Sequence, residues 1–414
     1  MSITLRAPNQ SAPSQAPAPA SPATPAVVGA PGPLANTYKR APVPIVRGEG
    51  VTLIDADGKR HLDLASGIAV NALGYNDAGV NAAITTALES GLIHTSNLFR
   101  TEPGERLAAA LVEHSFADRV FFCNSGAEAN EGAFKFARKW ARTVGSPAKH
   151  EIVSLRGAFH GRLFASVAAT DRPAYRLPFR PLAGGITIAE RDERELDAML
   201  DAETVAAVIV EPIQGEGGVR VIDPALLAFL RAVTTERRIA LIFDEIQCGL
   251  GRTGQLFAYE GTGVIPDIVT LAKPIAGGLP MGAILLSESV ASALEPGEHG
   301  TTFGGGPFVA SVALHVFERL SSPTILAHVR EVGAFMGRML HDMMARSAKV
   351  RAVRGAGFMW GVDVVEPAAA IVARARDAGV LILSAGDHTL RLLPPLVMSQ
   401  ADVATALTRL EGVL

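Results

Sequence analysis

From Val120 onward, strand-sized apolar runs alternate with amphipathic helical stretches, and this alternation constrains the fold more than any other feature of the chain. Val120–Cys123, Glu151–Leu155, Ala206–Glu211, Ile239–Asp244 and Ile268–Ala272 read as strands, with Gly126–Val144 and Pro224–Thr235 as helices between them. Such alternation indicates an α/β layer with a mainly parallel sheet, placed here over residues 81–298. The flanks have another texture. Val51–Leu64 reads as a hairpin turning at Asp57-Gly58, followed by helices over Asn76–Leu92 and Glu102–His114. After Gly300 come helices over Pro307–Leu320 and Ala327–Met344, short strands, and helices over Ala368–Ala378 and Gln400–Leu414, the last opened by an approximate capping box at Ser399 and Asp402. A smaller α+β domain assembled from both chain ends, 38–80 and 299–414, fits this pattern.

Between Ala7 and Asn36 stand 9 Ala and 8 Pro in 30 positions, with no helical or strand period. Proline this dense fixes φ and removes donors, so residues 1–37 are expected to be a disordered extension. The rest has ample core material: 48% of all residues are hydrophobic and 19% charged. No run approaches the roughly 18 apolar residues of a membrane span. A net charge of −3 argues against nucleic acid as a partner. Cys123 and Cys248 form no CxxC pair, and neither HExxH nor a tight His/Asp cluster is present, so neither a disulfide framework nor a metal site is expected.

In open parallel sheets, ligands sit beyond the carboxyl ends of the strands, and four such positions are unusual. At Cys123-Asn-Ser-Gly-Ala127, Ser125, Gly126 and Ala127 place small side chains and free N–H groups at a helix start, suited to a phosphate; an ordinary strand-to-helix turn is the alternative. At Phe243-Asp-Glu-Ile-Gln247, an apolar run ends on Asp244, either a crevice carboxylate for a protonated heterocycle or a helix cap. At Leu271-Ala-Lys-Pro274, Lys273 closes a buried strand, either desolvated with a depressed pKa suited to covalent catalysis or an ordinary surface lysine. At Phe159-His-Gly-Arg162, an aromatic ring and a guanidinium stand three residues apart, either a platform and a carboxylate clamp or a core ring and a surface charge. His160 reads as a packed or hydrogen-bonding histidine. Gly249-Leu-Gly-Arg-Thr-Gly254 matches the dinucleotide pattern G-x-G-x-x-G, but no long helix follows it, so NAD binding and an oxidoreductase remain a remote alternative.

A phosphate cradle, a carboxylate, a lysine and an aromatic platform together are what pyridoxal 5′-phosphate requires. The sequence resembles the class III (ornithine-type) aminotransferases over roughly Tyr38 to Leu414. The resemblance rests on Gly67-Ile-Ala-Val-Asn-Ala-Leu-Gly74, His94-Thr-Ser-Asn97, Asn124-Ser-Gly-Ala-Glu-Ala-Asn-Glu131, Phe159-His-Gly-Arg162 and Glu211-Pro-Ile-Gln-Gly-Glu-Gly-Gly218. It continues through Asp244–Gly254, Leu271-Ala-Lys-Pro274, His299-Gly-Thr-Thr-Phe-Gly-Gly305 and Leu390-Arg-Leu-Leu-Pro-Pro-Leu396.

The resemblance implies the fold type I architecture and a set of roles. Lys273 holds the cofactor and moves the proton during transfer. Asp244 pairs with the pyridinium nitrogen; at about 4 Å and an effective dielectric near 20 that attraction is roughly 4 kcal/mol, some three pKa units. Phe159 and Ile246 sandwich the ring, Gln247 bonds its phenolic oxygen, and Ser125, Gly126 and Ala127 receive the phosphate. Thr301 and Thr302 reach the phosphate of a neighbouring subunit, which implies a homodimer with shared active sites. Arg162 holds the α-carboxylate of the amino donor; Arg391 holds that of 2-oxoglutarate and pairs with Glu211 when the other substrate is bound.

Gly67, where ornithine-specific members carry a tyrosine, leaves room for an acylated α-amino group or only relaxes a loop. Asn71 lines the pocket or braces that loop. The expected donor is N2-acetyl-L-ornithine, with succinylornithine, ornithine, 4-aminobutyrate and aminoadipate semialdehyde chemistry as alternatives within the family. The expected location is the cytoplasm, or the mitochondrial matrix if the Ala/Pro segment is a presequence. Gly306 stands where the family carries Asn, and Pro274-Ile275 where it carries Ala-Leu.

Overall fold

The computed structural model describes residues 33–414, so the Ala/Pro-rich stretch up to residue 32 lies outside the described residues. Residues 33–44 form no helix or strand, and Ile45–Leu414 forms one compact unit.

Its centre is a seven-stranded sheet of β1 (Arg119–Cys123), β2 (Glu151–Leu155), β3 (Ile186–Ala189), β4 (Val205–Val210), β5 (Ala240–Asp244), β6 (Ile268–Leu271) and β7 (Gly282–Leu286), in the order β1-β7-β6-β5-β4-β2-β3. The β6–β5, β5–β4, β4–β2 and β2–β3 pairs are parallel; β7 alone runs against both of its neighbours. Every residue of β4, β5, β6 and β7 is buried. Successive side chains point to opposite faces, and both faces are covered. Ile152, Ile209, Ile242, Ile268 and Ile284 join one apolar cluster; Val153, Val208, Leu241, Val269 and Leu285 join the other.

The helix Gly126–Val144 covers the first face. Ser125 caps it, its hydroxyl accepting from Glu128 N at 3.2 Å. The buried stripe is mostly small (Ala129, Gly132, Ala133, Ala137, Ala141), which brings the helix axis close to the strands: a Cβ at Gly132 would lie 2.5 Å from Ile284 Cδ1. That close seating carries the helix start to the carboxyl ends of the strands.

The hairpin strands Thr52–Asp55 and Arg60–Asp63 form with a third strand, Ile45–Glu49, and Val380–Leu381 adds in parallel beside Arg60–Asp63, so residues from both ends of the chain share one sheet. A second four-stranded sheet holds Thr389–Leu392, the strand that carries Arg391. The C-terminal helix, Gln400–Glu411, opens with Ser399 Oγ accepting from Asp402 N at 3.1 Å and Ser399 N donating back to Asp402 Oδ2 at 3.4 Å. The expected helix at Ala327–Met344 is longer, Pro323–Arg346, because Ser322 caps it and Pro323 occupies its first turn. Ile186–Ala189 and Gly282–Leu286 go beyond the expected strands: each is a short run followed only by a short helix, Glu193–Met199 and Glu288–Ala291, and β7 is held in place by pairing with β1 and β6.

Candidate active site at the carboxyl ends of the central strands

A cavity of about 400 Å³ opens where β1, β2, β4, β5 and β6 end. Its walls include Ser125, Gly126, Ala127, Phe159, Arg162, Glu211, Asp244, Ile246, Gln247 and Lys273, so ten of the expected residues, from five separate loops, converge on one space.

Asp244 ends β5 and is 3% exposed. Its Oδ2 accepts from Asn130 Nδ2 at 2.8 Å and lies 2.8 Å from His160 Nδ1; an ionised carboxylate only accepts, so that ring nitrogen carries the proton. Oδ1 accepts only the amide of Ile246, at 3.1 Å, and keeps lone-pair capacity for a further donor. Asn130 is itself fixed by Thr270 Oγ1, which donates to Asn130 Oδ1 at 2.8 Å. Neither Asn130 nor the ring contact of His160 was foreseen. The available signal was a polar side chain on a helix face otherwise made of Ala and Phe, since such a residue requires a buried partner.

Lys273 follows β6 with φ +41°, left-handed backbone that costs an ordinary residue about 1 kcal/mol. Burial, aided by the Arg391 charge and opposed by Asp244, Glu211 and Glu216, pulls its ammonium down to about 8. A lysine poised there holds a usable fraction of neutral amine near neutral pH. Gly126 packs so closely on Ile246 that a Cβ would lie 2.8 Å from its Cδ1, so a larger residue would displace the Ile246 side chain. The first-turn amides of Gly126 and Ala127 have no helical acceptor.

Glu211, at the end of β4, is fully buried; its Oε1 accepts from Phe159 N at 2.8 Å and its Oε2 from Gly215 N at 3.0 Å. Burial raises its carboxyl to about 7, with His160 opposing and Asp244 adding to the rise. The carboxylate is committed to these two amides and does not pair with Arg391. That expectation is corrected: Arg391 Nη1 lies 2.8 Å from Glu216 Oε2 and donates to Gln247 Oε1 at 3.2 Å. The two glutamates stand five residues apart in one motif, and only the hairpin Ile213–Gln214/Arg220–Val221 decides which of them reaches Arg391.

Several expected residues do not reach the cavity wall in this chain. Thr301 and Thr302 line a separate cavity of about 800 Å³ with Ser96–Thr101, and Thr301 Oγ1 accepts from Asn124 Nδ2 at 3.1 Å. Gly67 and Asn71 flank Val70, which does line the cavity. Gly67 sits with Ser66, Ile68 and Ala69 in four consecutive left-handed residues (φ 43–65°). Asn71 Nδ2 approaches Tyr75 Oη at 3.4 Å, and Tyr75 donates to Asp63 Oδ2 at 2.5 Å, the loop-bracing arrangement. The G-x-G-x-x-G stretch starts no long helix. Its Arg252 is buried and donates to the carbonyls of Phe358 and Pro394, a structural role.

The family model described as Aminotransferase class-III matches residues 34–414. The chain belongs to the class III aminotransferases. Its curated relatives include the mitochondrial acetylornithine aminotransferase of Alnus glutinosa, 45% identical over 90% of this chain and 84% of that protein, and the acetylornithine aminotransferase of Methanocaldococcus jannaschii, 43% identical over 91% and 94%. Among solved structures, the ornithine aminotransferase of Toxoplasma gondii superposes with a TM-score of 0.87 at 29% identity, covering 92% of each chain. The N-acetylornithine aminotransferase of Stenotrophomonas maltophilia gives 0.79 at 38% identity, covering 91% and 96%.

The cofactor of this class III aminotransferase is pyridoxal 5′-phosphate, and the residues present fit it. Asp244 has an oxygen free for a ring N–H, the helix start offers unsatisfied amides, and a half-buried lysine of lowered pKa stands in the same cavity. When bound, the cofactor supplies an electron sink that the protein side chains lack.

Proposed function

We propose that this enzyme moves the terminal amino group of N2-acetyl-L-ornithine to 2-oxoglutarate, giving N-acetyl-L-glutamate 5-semialdehyde and L-glutamate, a step of arginine biosynthesis. The observation that carries the reading is the contrast between two arginines: Arg391 is 3% exposed and closed by Glu216, while Arg162 is exposed at the cavity. One pocket is thus able to take a donor carboxylate on Arg162 with Arg391 shut, then a dicarboxylate once Glu216 yields Arg391. The names of the relatives support the donor.

In this reading Lys273 moves the proton between the reacting carbons, working near its own pKa. Asp244, held by Asn130 and His160, keeps the heterocycle protonated. Phe159 and Ile246 hold the ring from its two faces. The Ser125–Ala127 amides anchor the phosphate, and Gln247 serves the phenolic oxygen. Thr301 and Thr302 complete the phosphate site of a second copy in a homodimer. The exposed apolar side chains of Leu98, Phe99 and Phe303 around those threonines suit burial against such a copy.

A visible absorption spectrum tests the reading. The cofactor band is expected to bleach on adding N2-acetyl-L-ornithine alone and to return with 2-oxoglutarate. A band indifferent to this donor, but bleached by ornithine or 4-aminobutyrate, overturns the donor assignment while leaving the chemistry.

A further inference from the structure

The Arg162 guanidinium pairs with no carboxylate among the described residues; an aromatic ring holds it instead. Its central carbon lies 3.4 Å from the centroid of the Tyr175 ring and 5.7 Å from that of Phe159. The two rings meet edge to face, centroids 6.2 Å apart at 86°. Tyr175 sits on the short helix Pro173–Arg176, and that segment is tied down on two sides. Asp171 N donates to Ala158 O at 2.8 Å and Asp171 Oδ2 accepts from Gly157 N at 2.8 Å, fixing it to the loop that bears Phe159. Arg172 donates to the carbonyl of Glu216, fixing it to the hairpin that closes Arg391.

The chemistry of this contact differs from that of an ion pair. A cation over a ring is attracted through the face of its planar group, and this leaves the in-plane N–H donors of a guanidinium unused. A carboxylate partner would occupy those donors and compete with substrate. A ring orients the arginine and leaves its two-pronged edge vacant for a carboxylate.

We infer that Tyr175 is a positioning residue whose ring holds Arg162 flat, with its N–H edge free for the α-carboxylate of the amino donor, so that carboxylated donors are preferred over plain amines. The inference rests on the reading of Arg162 as the donor-carboxylate arginine.

The test is calorimetric binding of N2-acetyl-L-norvaline, which keeps the carboxylate and acetyl group but has no amine to react, to the cofactor-loaded enzyme. Tyr175→Ala is expected to weaken binding about tenfold, within the range for a desolvated cation–ring contact. Tyr175→Phe is expected to stay within about twofold, because the ring is retained. Tyr175→Leu keeps an apolar side chain without the ring and is expected to match the Ala variant, covering the case in which Ala does not fold. In an Arg162→Ala background, Tyr175→Ala is expected to add less than about twofold. Unchanged binding in a folded Tyr175→Ala or Tyr175→Leu variant overturns the inference. An equal loss in Tyr175→Phe assigns the effect to the hydroxyl and overturns it as well. If Arg162→Ala alone leaves binding unchanged, the carboxylate reading of Arg162 is what fails.

Discussion

Asp244 and Arg162 stand on the same cavity under opposite conditions. Asp244 is buried at a strand end, where Asn130, His160 and the Ile246 amide fix its carboxylate from three directions. Arg162 is exposed on a loop and is held by the face of one ring. The same division runs through the rest of the site. Glu211, Lys273 and Asn130 belong to the buried side, with their neighbours close-packed on β4, β6 and the Gly126–Val144 helix. Glu216 and Thr301 lie on a turn and a loop, and Gly67 on the single left-handed turn Ser66–Ala69. Electrostatic stabilisation demands groups that do not reorganise during the reaction, whereas accepting two different substrates demands groups that move. The protein builds the first on sheet and helix and the second on loops.

Substitutions on the buried side are therefore expected to cost turnover, and those on the exposed side to redistribute substrate preference. Lys273→Ala should lower kcat about 10⁴-fold or more, since both the covalent anchor and the proton carrier are lost; turnover above a trace would break the comparison at its strongest point. Asp244→Ala should lower kcat about 10³-fold, the three pKa units its charge contributes to the heterocycle, with the cofactor band shifted in the same variant.

The third expectation concerns pH. Because burial depresses Lys273 from 10.5 to about 8, its neutral fraction rises as pH increases through about 8. The rate at which the apoenzyme takes up pyridoxal phosphate should rise with a midpoint near 8; a midpoint at the ordinary lysine value would place Lys273 in solvent. On the exposed side, Glu216→Gln removes the anion that closes Arg391. With Glu216 a quarter exposed, such a pair is worth about 1 kcal/mol, so the KM for 2-oxoglutarate should fall about fivefold. Steady-state kinetics at saturating donor would show it, and the same fall in Glu211→Gln instead would assign the closing of Arg391 to Glu211. Gly67→Ala should have the smallest effect. A Cβ at φ +64° lies 2.9 Å from Asn71 Nδ2, costing about 1 kcal/mol of stability and a few-fold in kcat/KM for the acetylated donor. Ornithine kcat/KM measured beside it separates a spatial role from loop strain.

The sheet was readable from the sequence where strands alternate with helices. β2 and the Gly126–Val144 helix have the expected bounds, and β4, β5 and β6 shift by one residue. Their apolar runs are long enough to have no other use. β3 and β7 escaped: Ile186–Ala189 is only partly buried, and Gly282–Leu286, although buried throughout, runs antiparallel to both neighbours, outside the parallel strand–helix alternation that marks the others. The site divides in the same way. Ser125, Phe159, Asp244 and Lys273 follow strand ends directly, so finding the strands finds them. Tyr175 and Asn130 carry no such address: one joins the site through a short helix tied to another loop, the other through a helix face turned to the sheet.

Local sequence was sufficient for which residues end strands and cap helices, because those properties depend on neighbours within a few positions and on the hydrophobic period. It was not sufficient for which of two glutamates meets Arg391, or which ring lies beneath Arg162. Arg391 and Glu216 are 175 residues apart and Arg162 and Tyr175 only 13, yet both pairings depend on how loops from independent elements are brought together in space. Both glutamates have the same chemistry, and only their placement by the folded chain distinguishes the one that accepts two backbone amides from the one that closes an arginine.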